Sequence, residues 1–555
     1  MIEILAQKHL FQAVPSRSAL REVRRDLNFK ESPLRINVWR NHAFEPLIPL
    51  VEAYFCLQPT NPMFELSQYD DTLTFSGWKE ADLEVIWLDS TRYLEHTAFG
   101  DWVTWFRARL AYLRLLTGRP VIVATWFEEE SHAAEFECLV QEFPSIHFAD
   151  IGFHSRTDDY DLSDSRLSEI SGTRLGRDAQ TLVSRRLACH WIPAATEPPI
   201  KAVVVDLDNT IYSGVLGEDG TEGLELTPGH AHFQEFLKSL QQRGVYLAIL
   251  SRNDLEDVKI LFQQRLDFPL RIEDFSSVDV SWGPKSEGMA RISSSLLIDH
   301  TAILFVDDNI GELLEVKQAM PQVNLVLADS DAETTTRRVD FFPGLWRWTV
   351  GADDLIRVQD LQARTERQQV ARESHSTENY LRKLETTLTI KPQNISILPR
   401  VSSLSMKTNQ FNLALQRLTE AQILSKVQAD GGWLTTVELS DKISNSGVVG
   451  FVLATKVLDV LVVQEVCISC RALGRNLEDA IVITAVQKIF SVSNSSEIAF
   501  KASLGPRNGP GIDWLQRWVQ EPTITADDVY RVSLEAFLRF RPSEDITLVT
   551  SEGEK

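Results

Sequence analysis

Unbroken apolar runs alternate with helix-length amphipathic stretches through the first two thirds of this 555-residue chain. Runs at Leu34–Val38, Leu83–Leu88 and Val121–Thr125 are separated by segments with helical spacing of their apolar positions. That alternation predicts a parallel-sheet α/β domain over residues 1–198, ending at the Pro-containing stretch ATEPPI. KAVVV (201–205), VYLAIL (245–250) and AILFV (302–306) show no in/out alternation at all, as expected of strands buried on both faces. They predict a second, Rossmann-like α/β domain over 199–348. From 353 to about 387 the chain is polar, charged and free of Pro and Gly, which reads as a connecting helix (349–387). WLTTVEL, VVGFVLAT and LVVQEVCIS then alternate as short strands before a helix starting near Asn476, and 526–539 reads as a helix pair or short tail. The third block, 388–555, is therefore α+β, and the whole chain is a multidomain α/β protein.

Composition narrows this little. Hydrophobic residues at 43% and charged residues at 24% are an ordinary globular mixture. A formal charge of −22 argues against nucleic acid and against an anionic membrane surface. The longest apolar region, Val448 to Ile468, is broken by Lys456, Asp459 and Glu465, so it reads as paired strands and not as a membrane span. The five cysteines are few and odd in number, which argues against a disulfide framework. Cys467 and Cys470 form a C-x-x-C with no second pair to complete a zinc site. The N-terminus lacks a secretory pattern, and a cytoplasmic location is expected.

The chemistry gathers at the ends of the three apolar runs of the second block. A D-x-D-x-T arises by chance in roughly one chain in ten of this length, but here Asp206 directly follows KAVVV, where open α/β sheets bind ligands. If the extended geometry persists, Asp208 points the same way. Two carboxylates repel each other and any phosphate unless a hard cation is present, which suits Mg²⁺. Asp206 then has the position of a nucleophile on phosphorus and Asp208 that of the acid and base. Ser251 follows VYLAIL and suits the phosphoryl oxygens, with Arg252 and Asn253 beside it. Lys285 supplies a fixed positive charge. Asp307 and Asp308 follow AILFV and, with Asp206 and Asp208, complete the expected metal set. The set resembles a phosphoryl-transfer site of the haloacid-dehalogenase type. Only 40 residues separate Thr210 from Ser251, so no large cap domain is expected.

DLDNTIYSGVLGEDG (206–220), SRND (251–254), WGPKS (282–286) and FVDDN (305–309) resemble the FkbH-like glyceryltransferase/phosphatase family of polyketide biosynthesis, subfamily IIIC of the haloacid-dehalogenase superfamily. KTNQFNLALQR (407–417), VELSDKISNSGVVG (437–450) and SCRALGR (469–475) resemble its distal segments. The resemblance implies glyceryl transfer: glycerate is taken from 1,3-bisphosphoglycerate, phosphate is removed, and D-glyceryl passes as a thioester to a phosphopantetheinylated acyl carrier protein. A small-molecule phosphatase and a catalytically silent carrier-protein scaffold are the alternatives.

The family's first domain resembles an SGNH hydrolase. Here the first strand end reads INVWRNHAF without a serine nucleophile, so the domain is expected to be degenerate, with His42, His154 and His190 structural. LGEDG (216–220) reads as a turn in a short β-flap. The third block resembles a GNAT (acetyltransferase-like) fold, which implies a pantetheine-binding segment at Arg471, Gly474 and Arg475. Some relatives carry a Cys where this chain has Leu207. Cys470, at a strand end, is then the expected acyl acceptor, although free cysteine is also among the most buried residue types. Cys467, on the opposite face, is expected in the core.

Overall fold

Three sheets organise the chain in a computed structural model. The structure describes all residues except 1, 26–31, 70–72, 158–159, 165–171, 350, a scatter between 352 and 376, 520–527 and 552–555. The chain divides into two compact units, Met1–Val350 and Gly351–Lys555.

Unit 1 carries two five-stranded sheets. The first comprises β1 (Pro33–Arg40), β2 (Asn61–Leu66), β3 (Leu83–Trp87), β4 (Val121–Thr125) and β5 (Ile146–Asp150) in the order β2-β1-β3-β4-β5. All of its pairings are parallel. The apolar runs read from the sequence are β1, β3 and β4; β2 and β5 carry mixed residues with partial burial and gave no such run. At the end of β1, His42 is buried, bonded to Thr173 Oγ1 at 3.0 Å and stacked on Trp87. His190 is also buried, stacked on Phe341. Burial pushes His42, His190 and His154 below the ordinary histidine range, so all three are neutral packing groups.

The second sheet comprises β6 (Ala202–Val205), β7 (Tyr246–Ser251), β8 (Ser277–Val280), β9 (Ile303–Asp307) and β10 (Asn324–Leu327), ordered β10-β9-β6-β7-β8 and parallel throughout. β6, β7 and β9 are buried along their whole lengths, which is why their sequences lack alternation. The order places β6 centrally, with β7 and β9 on either side. Between β6 and β7 lie the helices Leu216–Gly223 and Pro228–Gln242, with no sheet of their own. LGEDG is thus the start of a helix kinked at Gly220 (φ 63°), and not a turn. Asp219 Oδ2 accepts from Val215 N at 2.8 Å and closes its first turn. The strand-like part of the flap is a single antiparallel bridge, Ser213 to Glu225.

Unit 2 has a seven-stranded sheet: β11 (Thr387–Pro392), β12 (Gly432–Ser440), β13 (Asn445–Val457), β14 (Val460–Ile468), β15 (Glu497–Ala502), β16 (Asp528–Arg531) and β17 (Thr547–Thr550), ordered β16-β15-β14-β13-β12-β11-β17. Val448 to Ile468 is the β13–β14 antiparallel pair, as its charges predicted. The parallel pair β14–β15 is joined only from Val460 to Val463. Beyond that the strands part, and the segment Phe411–Leu413 takes the vacated edge: Leu413 N donates to Val466 O at 3.1 Å, and Ser503 N to Leu413 O at 2.9 Å. The long helix runs Glu478–Ser493; it starts after Asn476 because that residue is left-handed (φ 56°). Of the segment 526–539, read as a helix pair or short tail, the described part is strand β16 paired with β15, then a short helix Leu534–Arg539. The expected connecting helix lies largely outside the described residues; Thr377–Lys383 is helical. Among the described residues no helix is long and apolar enough to cross a membrane.

Candidate active site

Three parallel strands deliver the polar groups of the site in unit 1. β6 ends at Val205 and β9 at Asp307, while the helix Lys285–Leu296 begins at the lysine. That helix lies close against the sheet because Gly288 has no side chain: a Cβ there would meet Leu250 Cδ1 at 2.4 Å and Asp279 Oδ1 at 2.8 Å. Lys285 is buried, and its Nζ lies 2.5 Å from Asp307 Oδ2 and 3.1 Å from Asp206 Oδ1. Burial opposes the lysine's charge, but the two carboxylates outweigh it and hold Lys285 above its ordinary value. Burial also raises Asp206 and pushes Asp307 up to about 7, with the charge of Asp206 adding to the second. Asp308 is exposed as a residue, yet partial burial of its carboxyl, followed by Asp206, raises it too.

Asp206, Asp307 and Asp308 each offer an oxygen within 4.8 Å of the others. Asp206 Oδ1 is buried and accepts no well-aligned hydrogen bond. An all-oxygen set of three carboxylates, with the buried Asp206 Oδ1 held by the Lys285 ion pair, fits a hard divalent cation such as Mg²⁺. The side chain of Asp208, expected among the ligands, is not in this group. The chain leaves the extended form after β6: Asn209 is left-handed (φ 51°), and Ile211 N donates to Leu207 O at 3.0 Å. Asp208 therefore turns to other partners, Tyr212 Oη at 2.8 Å and Leu216 N at 2.9 Å on Oδ1, and Asn253 Nδ2 at 3.0 Å on Oδ2.

Ser251, buried at the end of β7, accepts from Asn253 Nδ2 at 3.1 Å. Asn253 thus ties Ser251 to Asp208. Arg252 is half exposed and paired with Glu312 Oε1 at 3.0 Å. Tyr212 and Glu312 were not singled out from the sequence. The available signal was spacing, since Tyr212 stands four residues after Asp208 in a motif already recognised.

In unit 2, Cys467 is buried and Cys470 is exposed just past the end of β14. Arg475 is buried and donates to Asp441 Oδ2 at 2.7 Å, an oxygen that also accepts from Arg367 Nε at 2.8 Å. Its charge is therefore shared with Asp441. Gly474 (φ 75°) lies on the wall of a groove of about 410 Å³, together with Phe411, Leu473, Glu478, Trp514 and Arg517. Phe411 belongs to the segment that fills the gap between β14 and β15.

No family model and no curated protein matches the chain. Among solved structures, the N-terminal, phosphatase-domain part of a Bacteroides fragilis protein complexed with Mg aligns at 20% identity over 60% of this chain and 98% of its own, with a TM-score of 0.48. A HAD-like phosphatase of Mesorhizobium loti aligns at 15% over 27% of this chain and 89% of its own, TM-score 0.21. Spermidine N-acetyltransferase of Vibrio cholerae in complex with CoA and spermine aligns at 14% over 27% and 98%, TM-score 0.20. The fold class is α/β and multidomain by the strand orders above, with a Rossmann-like sheet bearing the aspartates and a mixed sheet in unit 2.

Proposed function

We propose that this chain is a Mg²⁺-dependent glyceryl transferase that draws on 1,3-bisphosphoglycerate and loads an acyl carrier protein. The observation that supports its phosphoryl-transfer half is the buried Lys285 bridging Asp206 and Asp307 at the carboxyl ends of parallel strands, with Asp308 beside them; the glyceryl and carrier half rests on the sequence resemblance. Asp206, Asp307 and Asp308 would hold the cation. Bound there, Mg²⁺ would offset the charge of a phosphoryl group and of the attacking carboxylate.

The chain's own groups account for the rest. A carboxylate oxygen of Asp206 bonds to phosphorus as the ester P–O bond breaks, and the proton of Asp208 goes to the departing oxygen. Water activated by Asp208 then cleaves the aspartyl-phosphate. Lys285 stays charged and stabilises the equatorial oxygens, while the Ser251 hydroxyl, held by Asn253, contacts them.

The acyl half of the reading places the thioester on Cys470. Its sulfur forms a bond to the acyl carbon as the acyl-phosphate C–O bond breaks and phosphate leaves. The carrier's thiol then displaces Cys470. Exposure of Cys470 and the groove walled by Gly474 support a pantetheine arm as the acceptor.

The test is intact-mass analysis of a phosphopantetheinylated carrier protein after incubation with 1,3-bisphosphoglycerate, Mg²⁺ and this protein. Gain of one glyceryl group by the carrier is expected, and Cys470→Ser should abolish it. Phosphate release without any loaded carrier would leave a small-molecule phosphatase. Undiminished loading by Cys470→Ser would move the acyl acceptor elsewhere.

A further inference from the structure

The carboxyl of Asp208 has its donors on two sides. Tyr212 Oη (2.8 Å) and Leu216 N (2.9 Å) both donate to Oδ1, whereas Asn253 Nδ2 (3.0 Å) donates to Oδ2 and also reaches Ser251 Oγ (3.1 Å). Oδ2 is therefore the oxygen on the Ser251 side, and Oδ1 faces the turn that follows the motif. Tyr212 reaches Oδ1 because the chain folds back at Asn209, so that residues four apart meet. Its ring is fully buried and stacked on Phe268, with centroids 5.9 Å apart. Burial, and then the Asp208 carboxylate, push the phenol far above its ordinary value, so the hydroxyl is a permanent donor.

We propose that Tyr212 is a positioning residue for the proton-transfer step: it pins Oδ1 of Asp208 inward and leaves Oδ2 as the oxygen presented to the leaving group. This rests on the phosphoryl-transfer reading of the same site. In that step the Asp206–phosphorus bond forms, the ester P–O bond breaks with its electron pair on the ester oxygen, and the proton on Oδ2 passes to that oxygen. Tyr212 gains and loses nothing. It removes the rotation about the Cβ–Cγ bond of Asp208 that would exchange the two oxygens. The start of the helix Leu216–Gly223 provides the second anchor through the Leu216 amide.

The consequence depends on the leaving group. An alkyl phosphate leaves as a strongly basic alkoxide and needs the proton; p-nitrophenyl phosphate leaves as a stable phenolate and needs it far less. A misplaced acid therefore slows the first substrate more than the second. General disorder of the site slows both alike.

Tyr212→Phe keeps the ring and its stacking and deletes only the hydroxyl. With each substrate, kcat and KM are measured for wild type, Tyr212→Phe and Asp208→Asn, with thermal melts to verify folding. The expected result is a loss in kcat for the alkyl phosphate roughly tenfold larger than for p-nitrophenyl phosphate, within the range of acid–base contributions. KM should be little changed, and Asp208→Asn should give a larger discrimination in the same direction. Equal losses on both substrates, or no loss on either, overturn the proposal. Asp206→Asn is run alongside: turnover that survives it overturns the phosphoryl-transfer reading itself, a result distinct from a failure of Tyr212→Phe in an assay that Asp206→Asn abolishes.

Discussion

Replacing Lys285 by methionine keeps the side chain as far as Cε and removes the ammonium group with its charge. The lysine lies 2.5 Å from Asp307 and 3.1 Å from Asp206, and all three residues are buried. Without it, two carboxylates face each other in a water-poor setting. Removing one partner of a buried ionic group costs about 3–5 kcal/mol, chiefly as the penalty of the charge left behind. Unit 1 spans Met1–Val350, and for large domains each kcal/mol moves the melting temperature by about 2 °C, so a fall of ~6–10 °C is expected in EDTA. A divalent cation on Asp206, Asp307 and Asp308 supplies charge in the same place. Saturating Mg²⁺ should therefore return a larger share of melting temperature to the variant than it adds to wild type. Acid should also narrow the deficit. Burial and Asp206 already push Asp307 up to about 7, above its value in the unfolded chain. The folded state therefore holds the extra proton, and repulsion eases as pH falls below that value. The assay is a thermal melt of wild type and Lys285→Met, with EDTA and with Mg²⁺, at pH 6 and pH 8. A variant melting within about 2 °C of wild type in EDTA, with equal Mg²⁺ shifts in both, would show that Lys285 does not neutralise this pair.

Three other outcomes follow from the same geometry. Asp308→Ala should raise the Mg²⁺ concentration for half-maximal phosphate release by about 10–100-fold, the worth of one charged contact; an unchanged Mg²⁺ titration would remove Asp308 from the metal set. Gly288→Ala should destabilise unit 1 by about 1–3 kcal/mol and lower turnover, because the new methyl meets Leu250 and Asp279 and pushes the Lys285 helix off the sheet; an unaltered melt and rate would refute that close packing. In unit 2, burial pushes Glu465 up to about 7 although it accepts from the amides of Ala414, Gln416 and Val466. Its folded value lies above the unfolded one, so its contribution is complete below about pH 4.5 and falls by up to ~3 kcal/mol as pH rises through 7. Denaturant unfolding should show that slope in wild type and not in Glu465→Gln; a slope retained by the variant assigns it to other groups.

The strands that carry the site were legible because burial on both faces writes itself as unbroken apolar runs, as in β6, β7 and β9. Partly exposed strands such as β2 and β5 leave no such mark. The positions of Asp206, Ser251 and Asp307 follow from those strand ends, whereas Lys285 opens the helix after the partly exposed β8. The direction of Asp208 does not, because it depends on one left-handed residue, Asn209, which turns the carboxyl from the metal set toward Tyr212. The helix at Leu216 was obscured by its glycines, and its first turn is closed by Asp219 instead of by propensity. In unit 2 the segment Phe411–Leu413 lies outside any strand, yet it completes the edge of β14; such long-range pairing has no local signature.

Trapping the covalent phosphoenzyme tests the central claim most directly. Wild-type protein is quenched in acid during turnover of a phosphate ester with Mg²⁺, reduced with borohydride to fix any acyl-phosphate, and mapped by peptide mass. The account expects the modified residue to be Asp206, and expects no modification in Asp206→Asn. Modification at Asp208, Asp307 or Asp308, or steady turnover by Asp206→Asn at saturating Mg²⁺, would contradict it.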